Sequence, residues 1–427
     1  MALTGPAKPS DLEVMRGNAS LWRNRNFVLL WVGQTFSEVG TRMTSVAFPL
    51  LVLALTGSPA RAGLSGFAGT LPYVLFYLPA GALVDRWDRR RVMLCCELGQ
   101  FAALGSLAAA FALDAVTFPH ILLTAFVSGS CFVFFSVSQR ALLPALVPSE
   151  RLTEALARQE TKSRSAALTG SPLGGLLFGL GHALPFVADA ASYLVSVATI
   201  LGIRTRHRPA PPPRETATGL YGEIREGMRW LWHEPFVRMS VALTSAVNLM
   251  FQALILTLIV LAGRLGAGSA GTGLILGCFG VGGLAGALVA PRVPDLLSSR
   301  AVAIGATWVW AATAPLLAVA TNPYELAAVI ACMAVVGPVW NVVVVGHQYK
   351  VVPDHLLGRV KSVALLTSWG SMPLGQLLGG YLLSLTAPRQ TVLLLSLLSL
   401  AIALTTTLNR SMRMRGPTVG RPGLQPQ

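Results

Sequence analysis

Gly81-Ala-Leu-Val-Asp-Arg-Trp-Asp-Arg-Arg-Arg-Val-Met93 is a short charged stretch set between two long apolar runs. Its first four residues return as Gly286-Ala-Leu-Val289, 205 positions later and again at the end of an apolar run. Two further pairs keep the same order. Gln139-Arg-Ala-Leu-Leu-Pro144 matches Gln348-Tyr-Lys-Val-Val-Pro353 as Gln, four residues, Pro, at an offset of 209. Pro172-Leu-Gly174 matches Pro373-Leu-Gly375 at an offset of 201. Repeats in one order at a near-constant offset describe an architecture built twice. The surrounding apolar runs are unbroken and reach about 18 residues or more, the length that crosses a bilayer as a helix. The chain therefore reads as an all-α membrane protein: twelve transmembrane helices in two pseudo-symmetric six-helix halves. Parallel halves of this kind put a substrate path at their interface, near the bilayer midplane.

Composition agrees. Of 427 residues, 53% are hydrophobic and 12% charged, far too little charge for the surface of a soluble protein of this length. The spans are expected at roughly 27–54, 62–84, 91–113, 118–139, 160–181, 184–203, 238–262, 271–290, 301–320, 324–346, 359–384 and 390–409. They divide the chain into a cytoplasmic N-terminal segment (1–26), a first half (27–203), a cytoplasmic linker with an amphipathic helix (204–237), a second half (238–410) and a disordered cytoplasmic tail (411–427). No cleavable leader is expected, because the first apolar run is too long for one.

The net charge of +15 invites a nucleic-acid reading until the charges are placed. With both termini cytoplasmic, 29 of the 33 Lys and Arg fall on the inner side and three (Arg61, Arg264, Arg389) on the outer side; Arg42 lies within span 1. This is the positive-inside asymmetry of a multi-pass protein of the cell membrane. It leaves anionic lipid head groups as partners and no role for nucleic acid. Cys95, Cys96, Cys131, Cys278 and Cys332 all lie in apolar spans without metal-ligand spacing, so no metal or cofactor is expected.

In the linker, a basic cluster and the prolines Pro209, Pro211, Pro212 and Pro213 read as a stiff extended lead. Leu220, Ile224, Met228, Leu231 and Trp232 then share a helical face opposite Glu223, Arg225 and Glu226, which fits a helix on the inner membrane surface.

The opening stretch also carries a resemblance. Gly81, Leu83, Asp85, Arg86 and Arg89 fall on the Gly-x-Leu-Ala-Asp-Arg-x-Gly-Arg-Lys signature of the major facilitator superfamily, with Arg90 in the Lys place and Asp88 replacing a Gly. The resemblance implies a cytoplasmic latch between the halves, formed by Gly81, Asp85, Arg86, Arg89 and Arg90; the plainer reading is that the arginines enforce topology. Leu21-Trp-Arg-Asn-Arg-Asn26, Pro49 to Pro59, Ala145 to Leu152, Asp189-Ala-Ala-Ser-Tyr-Leu194 and Val352 to Val360 resemble one branch, that of enterobactin exporters and macrolide efflux proteins. Gly170-Ser-Pro-Leu-Gly-Gly175 is close to the Gly-Pro-x-x-Gly-Gly signature of antiporters, with the Pro one place late. Gly170, Gly174 and Gly175 permit close packing and Pro172 a bend, so ordinary packing explains them as well as a direction-setting role does. The likeness implies a secondary transporter that exports a small amphipathic molecule (a drug, antibiotic, siderophore or other natural product) by alternating access, with proton antiport as the drive and a monomer as the working unit.

Span 1 supplies the candidates for coupling. Gln34, Glu38 and Arg42 follow one another at four-residue spacing and are expected on one face. A charge at mid-span costs roughly 2.5–3.5 kcal/mol on insertion scales, so Glu38 has a function or a partner. It is a proton site, a static ion pair with Arg42, or a contact for a cationic substrate. Asp189 is the second candidate, although its place near the start of span 6 is favourable on dipole grounds alone. Glu97 is expected at the inner loops, and Asp114 and Glu325 at solvated outer ends. The resemblance assigns the cavity to spans 1, 4, 7 and 10. There, Gln34, Ser128, Phe132, Phe135, Thr244, Asn248, Gln252, Trp340 and Asn341 offer aromatics and a few hydrogen-bonding groups, which suits a large apolar substrate. Bonding between neighbouring helices is the alternative for each polar group.

A lysophospholipid translocator or an uptake symporter fits the same fold. A primary pump does not, for the chain holds no Gly-x-x-x-x-Gly-Lys-Ser/Thr loop, and neither His-Glu-x-x-His nor Gly-x-Ser-x-Gly is present to indicate an enzyme.

Overall fold

The computed structural model describes residues 20–84, 86–204 and 219–409. Among these, every regular element is helical. The first half comprises α1 (Arg25–Thr56), α2 (Pro59–Val84), α3 (Arg89–Ala112), α4 (Phe118–Leu146), α5 (Leu152–Leu180) and α6 (Leu184–Gly202). The linker helix α7 (Gly219–His233) leads to α8 (Pro235–Arg264), α9 (Gly268–Val289), α10 (Ser299–Thr313), α11 (Pro323–Ala334), α12 (Asp354–Leu385) and α13 (Pro388–Leu408). The α11 helix continues through Val336–Trp340, a π turn at Asn341–Val345 and Gly346–Val351. Nine of the helical stretches among the described residues are long and apolar enough to cross a membrane; α2, α5 and α12 match them in length and are packed among them.

Local chemistry sets the ends. The Asn24 side chain accepts from Phe27 N at the start of α1, and Gly57, at φ 63°, closes it in the left-handed conformation that a glycine adopts without strain. Asp88 accepts from Arg90 N and Arg91 N and so starts α3, while Ser298 and Asn322 cap α10 and α11. The α5 and α12 helices begin well before their apolar runs: polar turns with Glu154–Arg158 and Glu160–Arg164 pairs continue α5 beyond the apolar stretch.

Within the first half, α1 packs on α5 and α6, α2 on α4, and α3 on α4 and α6; in the second, α8 packs on α12, α9 on α11 and α10 on α13. Two seams join the halves, α5 with α9 and α2 with α12. Both are made close by missing side chains. A Cβ on Gly175 would fall 2.3 Å from Ser269 O and 2.8 Å from Gly273 Cα, and one on Gly380 would fall 2.8 Å from Gly63 Cα. These contacts lie toward the end of the bundle that carries the α1–α2, α8–α9 and α12–α13 turns (the far face). An apolar cluster there also bridges the halves, with Leu256 and Leu383 packed against Ala47, Leu51 and Phe186. At the opposite, arginine-rich face, Gly81 stands clear, with nothing within 4 Å of a Cβ placed on it.

The linker helix lies along α12. Gly227 meets the Arg359 backbone, Glu226 pairs with Arg359, and Leu231 is buried while Met228 and Trp232 are exposed. The side chains of Leu220, Glu223 and Ile224, the proline run and the terminal segments lie outside the described residues.

Candidate functional site

The α1 helix turns three polar residues in three directions. Four residues advance an α-helix by about 40° beyond a full turn, so Gln34 and Arg42 are separated by about 80°. Gln34 is buried and donates through Nε2 to Glu97 Oε1 on α3 (3.1 Å) and to Ser196 Oγ on α6 (3.1 Å). Glu38 instead faces α5, where Lys162 Nζ lies 3.2 Å from its Oε2. The Lys162 side chain is only 5% exposed, that of Glu38 25%. Arg42, a partner for Glu38 in one of the three readings, is exposed and forms no ion pair with any described residue; its Cβ is packed where Gly170 lets α5 approach. Lys162 was overlooked because it stands among Arg158 and Arg164 at the mouth of a span, where it reads as one more inner-loop cation.

Behind α1 sits a second polar cluster. Asp189 is fully buried and accepts from Thr44 Oγ1 (2.7 Å), Ser192 Oγ (3.2 Å) and the Tyr193 hydroxyl (3.4 Å). Glu97 does not reach the inner loops. It is buried two turns into α3 and accepts at Oε1 from Ser196 (2.8 Å) and Gln34, while its Oε2 has no partner. The polar spacing of Asp189, Ser192, Tyr193 and Ser196 along α6 was the available sign that this helix carries more than one dipole-stabilised acid.

The cavity candidates separate as well. Phe135 belongs to the apolar core of the first half, Thr244 donates to Ser240 O in its own helix, and Asn248 donates to Ser368 O of α12. Gln252 lies against Gly375 of α12. Ser128 Oγ and Trp340 Nε1 are buried without partners, and Asn341 is exposed at the start of the π turn. Phe132 joins an aromatic group that spans the halves: Tyr73 lies 5.5 Å from Phe132 and 5.6 Å from Trp369 of α12, Tyr77 lies 5.2 Å from Trp369, and Arg140 bonds the Tyr77 hydroxyl (3.0 Å) and covers the Trp369 ring. Trp369, Tyr73 and Tyr77 lie outside the expected cavity spans 1, 4, 7 and 10, on the spans that form the seams.

Around the opening motif, Asp85 lies outside the described residues. Arg89 donates to Ala141 O at the end of α4, and Arg90 to Ile200 O and Leu201 O at the end of α6. Both arginines thus meet the carbonyl ends of helices in their own half, where a cation is favoured. Arg86 is exposed. In α5, Gly170 and Gly174 abut Val39 and Met43 of α1, Gly175 abuts α9 of the other half, and Pro172 meets Gly277.

Residues 17–419 match the sequence profile of a family described as transmembrane secretion effectors. The chain belongs to that family, within the major facilitator superfamily. Among its relatives, the multidrug efflux pump Tap of Mycolicibacterium fortuitum is 28% identical over 371 residues, 84% of this chain and 89% of that protein. Macrolide efflux protein A of Streptococcus pyogenes is 25% identical over 181 residues, 42% of this chain and 44% of that protein. Among solved structures, the nucleoside transporter NupG superposes with a TM-score of 0.71 at 13% identity, over 92% of this chain and all of that one. A bacterial homologue of ferroportin, in an inward-facing state, superposes at 0.70 and 15% identity, over 92% of this chain and all of that one. These likenesses show the major facilitator fold, and the relatives make this member of the family a multi-pass membrane transporter.

Proposed function

We propose that this transporter exports a small amphipathic molecule (a drug, antibiotic or other natural product) from the cytoplasm in exchange for protons, as a monomer in the cell membrane. Both termini and the arginine-rich face are cytoplasmic in this reading. The observation that carries it is the Glu38–Lys162 pair, a carboxylate and a nearly buried ammonium joining α1 to α5. Such a pair has two states of very different free energy, because neutralising one member leaves the other charge uncompensated. A proton reaching Glu38 from outside breaks the pair and favours one arrangement of α1 and α5; release to the cytoplasm restores it. The seams are tight at the far face and no described atom lies within 4 Å of a Cβ placed on Gly81, which supports an inward-facing state in which Glu38 has given up its proton and re-formed the pair. Arg90 donates here to the Ile200 and Leu201 carbonyls of its own half, and in this reading the latch engages when the inner face closes. The aromatic group of Tyr73, Phe132 and Trp369 suits flat apolar substrates, in keeping with the efflux relatives.

Everted membrane vesicles test the reading with ethidium as probe. An imposed proton gradient drives uphill accumulation by the natural chain; Glu38→Gln abolishes it and leaves downhill ethidium counterflow. Unimpaired uphill transport in Glu38→Gln would sink the coupling role.

A further inference from the structure

The flank of α1 that faces α6 carries a run of hydroxyls joining two buried acids. Glycines bring the helices together: a Cβ on Gly40 would fall 2.2 Å from Asp189 Oδ1, and one on Gly33 would fall 2.0 Å from Thr199 Oγ1. Along this seam, Thr44 and Tyr193 donate to Asp189 Oδ2. The Tyr193 hydroxyl shares a hydrogen bond with Thr41 (3.1 Å), and Thr41 donates to Ser37 O one turn further along (2.9 Å). Ser37 in turn faces Glu97, whose Oε1 is held by Ser196 and Gln34. Seven residues of α6 separate Asp189 from Ser196, a rise of about 10 Å.

Three features set this seam apart from ordinary interhelical bonding. Both carboxyls are 0% exposed, and no described cation lies within ion-pair distance of either. Ionised carboxylates in such surroundings are strongly disfavoured unless paired. Glu97 Oε2, moreover, is buried with no partner, so an acid is kept where its bonding is incomplete. The remaining titratable groups at the seam are Tyr193 on α6 and Cys96 on α3, which lies beside Cys131 of α4. The α1 helix contributes Gln34, Ser37, Thr41 and Thr44, and Lys162 of α5 is already engaged by Glu38 on the other flank.

We propose that Asp189 and Glu97 form a second proton-binding element, in which one transported proton is shared between the two carboxyls through Tyr193 and the hydroxyls of α1. The inference rests on the proton-driven reading above and adds an element behind the Glu38–Lys162 pair. In the transfer, the Asp189 carboxyl gives its proton to the Tyr193 oxygen as Tyr193 passes its own to Thr41. Thr41, rotated from Ser37 O to the Ser37 hydroxyl, passes one on, and Ser37 delivers one to Glu97. Every hydroxyl ends neutral, and one proton has moved from Asp189 to Glu97.

Infrared titration of the purified full chain in lipid nanodiscs tests this directly through the carbonyl stretch of protonated carboxyls. Bands absent from Glu97→Gln and from Asp189→Asn assign the two acids. The expected result is that removing either acid shifts the titration midpoint of the other, and that Tyr193→Phe retains both bands but reduces that mutual shift. In everted vesicles, Glu97→Gln and Asp189→Asn lose uphill ethidium accumulation and keep counterflow. Tyr193→Phe preserves the packing and both acids, so it reports even where an acid variant fails to fold. Carboxyls that titrate independently of one another overturn the proposal, as does uphill transport intact in both acid variants. If the natural chain moves no ethidium yet the acids titrate together, the export reading fails and the paired element stands.

Discussion

Lys162 Nζ stands 3.2 Å from Glu38 Oε2, so the charge in the middle of α1 is answered from α5 and not from its own helix. A pair within α1 would be indifferent to the movement of neighbouring helices. A pair between α1 and α5 registers their relative position, because α5 also forms the seam with α9 of the other half. Lys162, the partner of Glu38, and the seam with the other half therefore share α5.

Lys162→Met is expected to destabilise the protein by about 2 kcal/mol; this is less than for a fully buried pair, because Glu38 is one quarter exposed. The loss reflects an uncompensated carboxylate, so adding Glu38→Gln should recover most of it. Thermal melting in detergent of both single variants and the double variant closes the cycle. Equal, additive losses would show that the two side chains do not interact.

Gly175→Leu adds a side chain where a Cβ alone would fall 2.3 Å from Ser269 O. Backbone cannot yield as a flexible side chain does, so α5 and α9 must separate at the far face. The expected outcome is a population shifted toward far-face opening, read as a longer distance between spin labels at the far ends of α5 and α9. Leu173→Ala, at an exposed position of the same helix, serves as control and should leave the distance unchanged.

Asp88 occupies the signature's glycine position, yet it caps α3 through Arg90 N and Arg91 N. Asp88→Ala should cost about 1 kcal/mol of stability, whereas Asp88→Gly should cost only a few tenths. A larger loss for Gly than for Ala, measured by thermal melting, would mean that the turn and not the cap is what the position supplies.

Much of the architecture was legible in the chain because unbroken apolar runs have one structural meaning in a bilayer. Each expected span overlaps helical residues, nine of the helical stretches among the described residues being long and apolar enough to cross a membrane, and the bounds differ most at polar ends such as Leu152 to Gln159, where a helix continues past the apolar stretch. The repeat of Gly81 and Gly286 marked corresponding positions, although only Gly286 is in close contact here, against Val335 of α11. Side-chain partners were far less legible. The expected common face of Gln34, Glu38 and Arg42 dissolved through the 40° drift, accumulated twice, which sends the three toward different helices. Glu97 was placed by its distance in sequence from Arg91, but α3 starts at Arg89 and carries Glu97 inward to Gln34 and Ser196. Lys162 required knowledge of which helix crosses α1, information that no single span contains.

Trp369 is the position most open to a test of substrate contact. It comes from α12, meets Tyr73 and Tyr77 of α2 and lies under the Arg140 guanidinium, so it belongs to both halves at once. If flat apolar molecules bind against these rings, Trp369→Ala removes the largest aromatic surface. It should then weaken ethidium binding by about 1 kcal/mol, roughly fivefold in Kd. Trp369→Phe keeps a ring and should recover most of the affinity. Arg140→Ala removes a cation that repels a cationic probe and covers the Trp369 ring, so it should tighten ethidium binding where Trp369→Ala weakens it. Fluorescence titration of the purified variants reads both directions. Unchanged affinity in Trp369→Ala would assign the ring group to sealing the α2–α12 seam, with Trp369 acting on transport through the closure of the halves and not through the substrate.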